Sequence, residues 1–420
     1  MNGTFAEKIL AKYSGEKEVV PSQIVTVKPD HLLTHDNTAA IIQKIIPELK
    51  TYGVHDTSLP VIALDHVIPA ATEKTANNHK IIRNFVKKYK IENFFDVGFG
   101  VCHQIMVEQG LALPGKLILG SDSHTCSYGA VGAFSSGIDR TEAAALMLTG
   151  ETWLKVPSSI KMILHGKLDH GVGAKDVVLY IIGNISASGA NYCSVEFHGD
   201  IGQFSVEERF TISNMGVEMG AKNAFFSADK VITKYLDSIG VLQSKYSKIN
   251  PDSDAVYEKE FVYDLTNIEP VVALPHSVDN VKKVTEIEGL EIQQCLIGTC
   301  TNGRSSDFEI ASKILNGKKV HPDVRLLILP SSKQVYMDSL KKGYIDIFLK
   351  SGGIILPPGC GPCLGAHQGV LAPDERCLST ANRNFKGRMG CKEAEIYLAS
   401  PATVAISAIN GKITDPRKEV

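Results

Sequence analysis

Three cysteines offer the chemistry that most distinguishes this chain. Cys300 stands in Gly298-Thr-Cys-Thr-Asn-Gly-Arg304, and Cys360 and Cys363 in Pro358-Gly-Cys-Gly-Pro-Cys-Leu-Gly365. One distant thiol and a close pair make a three-point platform for soft-metal chemistry: zinc, copper(I) or an iron–sulfur cluster. A four-iron cluster ordinarily takes four protein thiolates. Three would leave one iron open as a Lewis acid, as catalytic metal sites keep a position free. On the cysteines alone, three other readings stay open: a redox Cys-x-x-Cys, structural zinc completed by a histidine such as His367, and three buried core thiols.

Acids and imidazoles recur where short apolar runs end. Leu64-Asp-His-Val-Ile68 places Asp65 and His66 after one run, and Gly98-Phe-Gly-Val-Cys-His-Gln104 places His103 after another. Gly120-Ser-Asp-Ser-His-Thr125 adds Asp122, Ser123 and His124 after a third. Carboxyl ends of parallel strands are where α/β proteins put their chemistry, and an imidazolium held by a carboxylate can protonate a departing hydroxyl. His35-Asp36-Asn37-Thr38 opens a helix, with Asp36 or Asn37 as its cap. Asn214 and Glu218 stand four apart, on one face if their segment is helical. Asn382-Arg-Asn-Phe-Lys-Gly-Arg388 supplies Arg383 and Arg388, a pair suited to an anionic di- or tricarboxylate.

The elements that must position these groups alternate between strand and helix, which predicts α/β layers with mainly parallel sheets. Strands are expected within 61–64, 94–97, 116–119, 160–164, 291–297 and 325–329, and helices over 75–90, 140–148, 229–236 and 332–340. The glycine-bearing loop 128–134 lacks dinucleotide and Walker patterns and reads as tight packing. Borders near 155 and in the polar stretch 244–254 divide the 420 residues into domains 1–155, 156–275 and 276–420. A net charge of −2 gives no electrostatic case for nucleic acid or a membrane surface. No apolar stretch is long enough to span a bilayer, and residues 5–13 are too charged for a signal peptide. Nine scattered cysteines fit reduced thiols and the cytoplasm.

Taken together these motifs resemble the large subunit of the aconitase superfamily, in the group of 3-isopropylmalate dehydratase, homoaconitase and 2,3-dimethylmalate dehydratase. The resemblance covers nearly the whole chain and implies three α/β/α domains around a central [4Fe-4S] cleft, without the fourth, swivelling domain. It implies that Cys300, Cys360 and Cys363 hold one [4Fe-4S] cluster whose fourth iron has no cysteine and binds the substrate hydroxyl and carboxylate. Asp65, His66, His103, Asp122, His124 and Glu218 would be catalytic. Ser123, Asn214, Asn382, Arg383 and Arg388 would bind substrate, with His35 standing where aconitases proper carry a glutamine.

The same resemblance implies a heteromer, the swivelling domain and a serine base coming from a separate small subunit. The expected reaction is reversible dehydration of a small branched malate, of the 3-isopropylmalate or 2,3-dimethylmalate type, with homocitrate and homoaconitate as the alternative. Gly137-Ile-Asp-Arg-Thr-Glu142 departs from the Gly-Val-Gly-Ser-Thr-Asp form of the leucine-biosynthesis members, which keeps dimethylmalate in play. Two non-catalytic readings remain. An electron-transfer protein would need a fourth ligand such as Cys295 or Cys377, and an RNA-binding relative would need a basic face.

Overall fold

The protein is described here by a computed structural model covering residues 3–418. Residues 1–2 and 419–420, at the outer edges of the first and third expected domains, lie outside the described residues. All six runs expected to hold strands contain one, and all four expected helices form, as Glu73–Tyr89, Arg140–Thr149, Lys230–Ser238 and Lys333–Lys341. Val61 and Ile62 are both fully buried, because a parallel strand covered on two faces reads as a continuous apolar run. Each helix begins where a short polar side chain accepts from its first turn: Thr72, Asp139, Asp229 and Ser332.

Three larger sheets carry the chain. The first is wholly parallel, in the order Asn93–Phe95, Pro60–Ala63, His31–Thr34, Leu117–Gly120, Phe134–Gly137. The second, also parallel, runs Asn223–Phe226, Ser194–Gly199, Ser159–His165, Lys259–Asp264. The third has seven strands: Val281–Lys283, Val271–Ala273, Glu395–Leu398, Arg376–Ser379, Gln294–Gly298, Arg325–Leu329, Ile354–Ile355. A two-stranded ribbon pairs Ile24–Val27 with Thr152–Lys155. Among the described residues no helix is long and apolar enough to cross a membrane.

In the first sheet the winding reverses between His31–Thr34 and Leu117–Gly120. In the third it reverses between Gln294–Gly298 and Arg376–Ser379. Such reversals leave a crevice beyond the strands' carboxyl ends. The residues just past these four strands include His35, Asp122, Cys300 and Asn382.

Three local expectations need correction or sharpening. Asn37 does stand at the start of the helix Thr38–Gln43, but its side chain makes no capping bond, and Asp36 is used elsewhere. The helix Val206–Asn214 tightens into a 3-10 turn over Met215–Met219, which rotates Glu218 about a third of a turn from the Asn214 face. The two side chains therefore do different jobs. The loop after Asp122 is a 3-10 helix, Ser123–Val131, and a Cβ on Gly129 would stand 1.8 Å from the Ala224 carbonyl oxygen. Close backbone packing, as expected, requires the glycine there.

Candidate active site

The two crevices meet in one cleft of about 260 Å3 lined by His66, His103, Asp122, Ser123, His124, the three cysteines Cys300, Cys360 and Cys363, and Asn382, Arg383 and Arg388. The expected residues Asp65, His35, Asn214 and Glu218 stand just behind this lining.

Cys300 is turned inward by its backbone: the strand ends at Gly298, and Thr299 adopts a φ of 74°, an uncommon conformation for a β-branched residue. Its Sγ receives amide N–H groups from Asn382 at 3.4 Å and Asn214 at 3.5 Å. Asn214 is wholly buried, its Oδ1 accepting from Thr301 Oγ1 at 2.9 Å and from Asn382 Nδ2 at 3.2 Å. Asn214 is thus packed behind the thiol, with an amide N–H on sulfur. Cys360 is fixed through its N–H to the Asp65 carbonyl at 2.7 Å, an approach open only because residue 359 is glycine. The hydrogen bond between Cys360 and Cys363 pushes Cys360 up and Cys363 down, and Arg388 Nη2, 3.4 Å from Cys363 Sγ, favours the charged form of that thiol. Burial and the nearby Cys363 charge push Cys300 up to about 12.

Among the described residues, His35, Asp36, Asp65 and His66 bring ligand atoms within 4.8 Å of one another. His367 is oriented by its Nε2, which meets the Ile68 carbonyl at 3.1 Å, while its Nδ1 is buried without a partner. A cluster several ångströms across, with N–H donors aimed at its thiolates, suits the arrangement. Cys295 and Cys377 lie fully buried on neighbouring core strands, outside this lining. Cys126 donates to the Ser213 carbonyl, while Cys102 lines the cleft.

Each histidine has a carboxylate. His66 Nδ1 meets Asp65 Oδ1 at 2.7 Å, His103 Nε2 meets Asp122 Oδ1 at 2.9 Å, and His124 Nε2 meets Glu218 Oε1 at 3.0 Å. Burial opposes charge on His66, but Asp65 and Asp122 outweigh it and hold the ring well above the ordinary histidine range. Burial likewise opposes the Asp122 charge, and hydrogen bonds from His103, His124 and His66 overcome it and hold the carboxyl well below its usual range. Arg383 Nε donates to Glu218 Oε1 at 2.6 Å. His35 stacks on His66 with ring centroids 3.8 Å apart, and burial plus the His66 charge lower it to about 4.

Four supporting residues were not expected at the site from the sequence. Asp36 accepts the N–H groups of Asp65 at 3.0 Å and His66 at 2.8 Å, and His79 Nε2 at 2.7 Å, so it clamps the acid–imidazole loop. Tyr128 OH meets His103 Nδ1 at 2.9 Å; because the ionised Asp122 can only accept, Nε2 carries a proton, and the ring is held from both sides. Arg304 is 1% exposed, stacks over Phe210, and donates to the carbonyls of Cys300 and Thr301 and to Gln104 Oε1. Lys175, also buried, donates to the carbonyls of Thr380 at 3.1 Å and Ala381 at 2.6 Å, just before Asn382. No spacing rule links them to the site, although Asp36 and Arg304 do lie inside motifs that drew attention for other reasons. The departure at 137–142 also has a local cause, since Asp139 and Glu142 form the capping box of the following helix.

The chain is similar to known proteins. The profile of the aconitase family (aconitate hydratase) matches residues 7–288 and 280–411. A 3-isopropylmalate dehydratase large subunit of Methanopyrus kandleri is 46% identical over 418 residues, 99% of this chain and 99% of its own. A probable methanogen homoaconitase large subunit of Methanosarcina mazei is 50% identical over 390 residues, 93% of this chain and 98% of its own. The crystal structure of Thermococcus kodakaraensis aconitase X in its holo form shares the fold, with a TM-score of 0.50 at 12% identity over 90% of this chain and 89% of that one.

Proposed function

The chain belongs to the aconitase family, and from that premise we propose that it is the cluster-bearing large subunit of a hydro-lyase that interconverts a small branched malate, 3-isopropylmalate foremost, with its alkene. The family implies an iron–sulfur cluster. The observation that carries the reading is the meeting, in one cleft, of three thiols, carboxylate-paired histidines and two arginines.

Cys300, Cys360 and Cys363 would hold the cluster, with Asn382, Asn214 and Arg388 donating to two of the sulfurs. When bound with one iron free of cysteine, it supplies Lewis acidity toward the substrate's hydroxyl and carboxylate. His66 does the proton work on the leaving side. Asp65 occupies its Nδ1, which leaves the Nε2 proton as the one to hand to a departing hydroxyl. Asp122, ionised and 3.7 Å from that Nε2, steadies the imidazolium until transfer. Arg383 uses Nε on Glu218 and Arg388 uses Nη2 on Cys363, so the remaining edges of both forks can take substrate carboxylates and the charge that builds on them. Arg388 Nε is a buried donor without a partner, as a site awaiting an anion would have.

The base that removes the proton beside the carboxylate is assigned to a separate small subunit bearing a swivelling domain and a serine, a reading supported by relatives that are themselves named large subunits. Nine free thiols suit the reducing cytoplasm. A homoaconitase reading stands second, favoured by the 50% identity to the methanogen protein. An anaerobic alkene-absorbance assay of the reconstituted chain with its small subunit decides between them. Turnover of 3-isopropylmalate over 2,3-dimethylmalate, homocitrate and citrate supports the first; turnover of homocitrate alone supports the second; silence toward all four, with cluster and partner bound, contradicts both.

A further inference from the structure

The catalytic cleft shares a wall with a second cavity. Ser123 lines both, and the second opens between the strand Phe134–Gly137, the start of the helix Arg140–Thr149 and the 3-10 turn Met215–Met219, with a volume of about 410 Å3.

Two donors on its walls have little use within the fold. Ser136 is 1% exposed, and its hydroxyl has no hydrogen-bond partner. Lys222 Nζ reaches the Gly137 carbonyl at 3.2 Å and sits 5.3 Å from the centroid of the Tyr192 ring, with no carboxylate at ion-pair distance among the described residues. Burial works against its charge, and the Glu142 carboxylate, beyond ion-pair distance, offsets that only in part, so an anion in the cavity would relieve the remaining cost. The two carboxylates of the cavity are engaged in the helix cap. Asp139 accepts from the N–H groups of Thr141 and Glu142, and Glu142 Oε2 accepts from the Asp139 N–H at 3.2 Å, both within the helix cap. Val217 adds an apolar wall.

We propose that this cavity is a carboxylate-binding site in which Lys222 Nζ supplies the charge and the hydroxyls of Ser136 and Ser123 supply further hydrogen bonds. An ammonium is a point charge and holds a single carboxylate without the two-pronged fit an arginine demands. The carboxylate has two sources. One is the distal arm of a tricarboxylate whose reacting end lies in the cleft across Ser123, which rests on the reading of that cleft as the substrate site. The other is a free short-chain carboxylate.

Calorimetric titration of the cluster-loaded chain with its small subunit, using propionate and the unreactive tricarboxylate tricarballylate, tests the site. Wild type is compared with Lys222→Met, Ser136→Ala and Lys222→Arg. Loss of a charge-assisted bond weakens binding about 10-fold or more. Weakening of tricarballylate alone in Lys222→Met, restored in Lys222→Arg, identifies the distal arm. Weakening of both probes identifies a free carboxylate. Equal binding of both probes to wild type and Lys222→Met overturns the proposal, and so does a wild type that binds neither. If the wild type turns over no hydroxy acid, the reading of the cleft fails instead, while the propionate titration still decides the cavity.

Discussion

The backbone N–H of Cys360 donates to the carbonyl oxygen of Asp65 at 2.7 Å. This one bond ties the loop bearing two thiols, which follows the third sheet's strand Ile354–Ile355, to the acid–imidazole loop of the first sheet. The spacing between the paired thiols and the His66 loop is thereby set by backbone rather than by mobile side chains.

Serine at Cys300, Cys360 or Cys363 removes a soft ligand and should abolish cluster retention, read as loss of iron, sulfide and visible absorbance after anaerobic reconstitution. Serine at Cys377, buried on a core strand outside the cleft, should leave the iron content unchanged. Equal loss in all four variants would show that the cleft thiols hold no special place.

Asp36→Asn keeps the shape of the clamp and removes the charge that receives the N–H groups of Asp65 and His66. A charge-assisted bond lost here should lower kcat about 10-fold or more, with the cluster spectrum intact and KM little changed. Unaltered kcat would mean that Asp65 and His66 are held well enough without it.

Arg304→Met strands the carbonyls of Cys300 and Thr301, together with Gln104 Oε1, in a dry interior. Leaving such acceptors unpaired should destabilise the cluster-free chain by about 3 kcal/mol in urea. Cluster loss to a chelator should also quicken. If cluster loss keeps its wild-type rate while the fold weakens, Arg304 supports only the fold.

His35 gives a pH dependence with a definite sign. Its folded value, about 4, lies below its ordinary 6.5, so on acidification the unfolded chain takes up the proton first. Stability is therefore full above about pH 6.5 and falls as the pH drops toward 4, by about 3 kcal/mol at the limit. His66, raised instead of lowered, contributes stability that is lost as pH rises, and it is present in both proteins compared. Urea denaturation of the cluster-free chain at pH 7 and 4.5 should show a smaller loss in His35→Gln than in wild type. Equal losses would contradict the burial argument.

Much of this site was legible in the chain because its reactive residues follow strands, and strands covered on both faces announce themselves as unbroken apolar runs. The run 325–329 forms Arg325–Leu329 over the same residues, and Thr72 and Asp139 mark their helices by capping chemistry. Less legible was what partners what across sheets. Asp36 looks like a cap, yet it serves a loop 29 residues on, and Lys175 reaches carbonyls 205 residues away. Asn214 and Glu218 would share a face of a regular α-helix, but the helix tightens between them and aims one at sulfur and the other at His124.

The central claim is that three cysteines leave one iron of a cluster open to substrate. Mössbauer spectroscopy of the chain reconstituted with 57Fe and bound to its small subunit, before and after addition of the hydroxy acid it turns over, addresses that claim most directly. One iron of four should change its spectrum on addition while the other three stay as they were. Four irons that remain alike and unmoved, or a protein that retains no cluster at all, would contradict it.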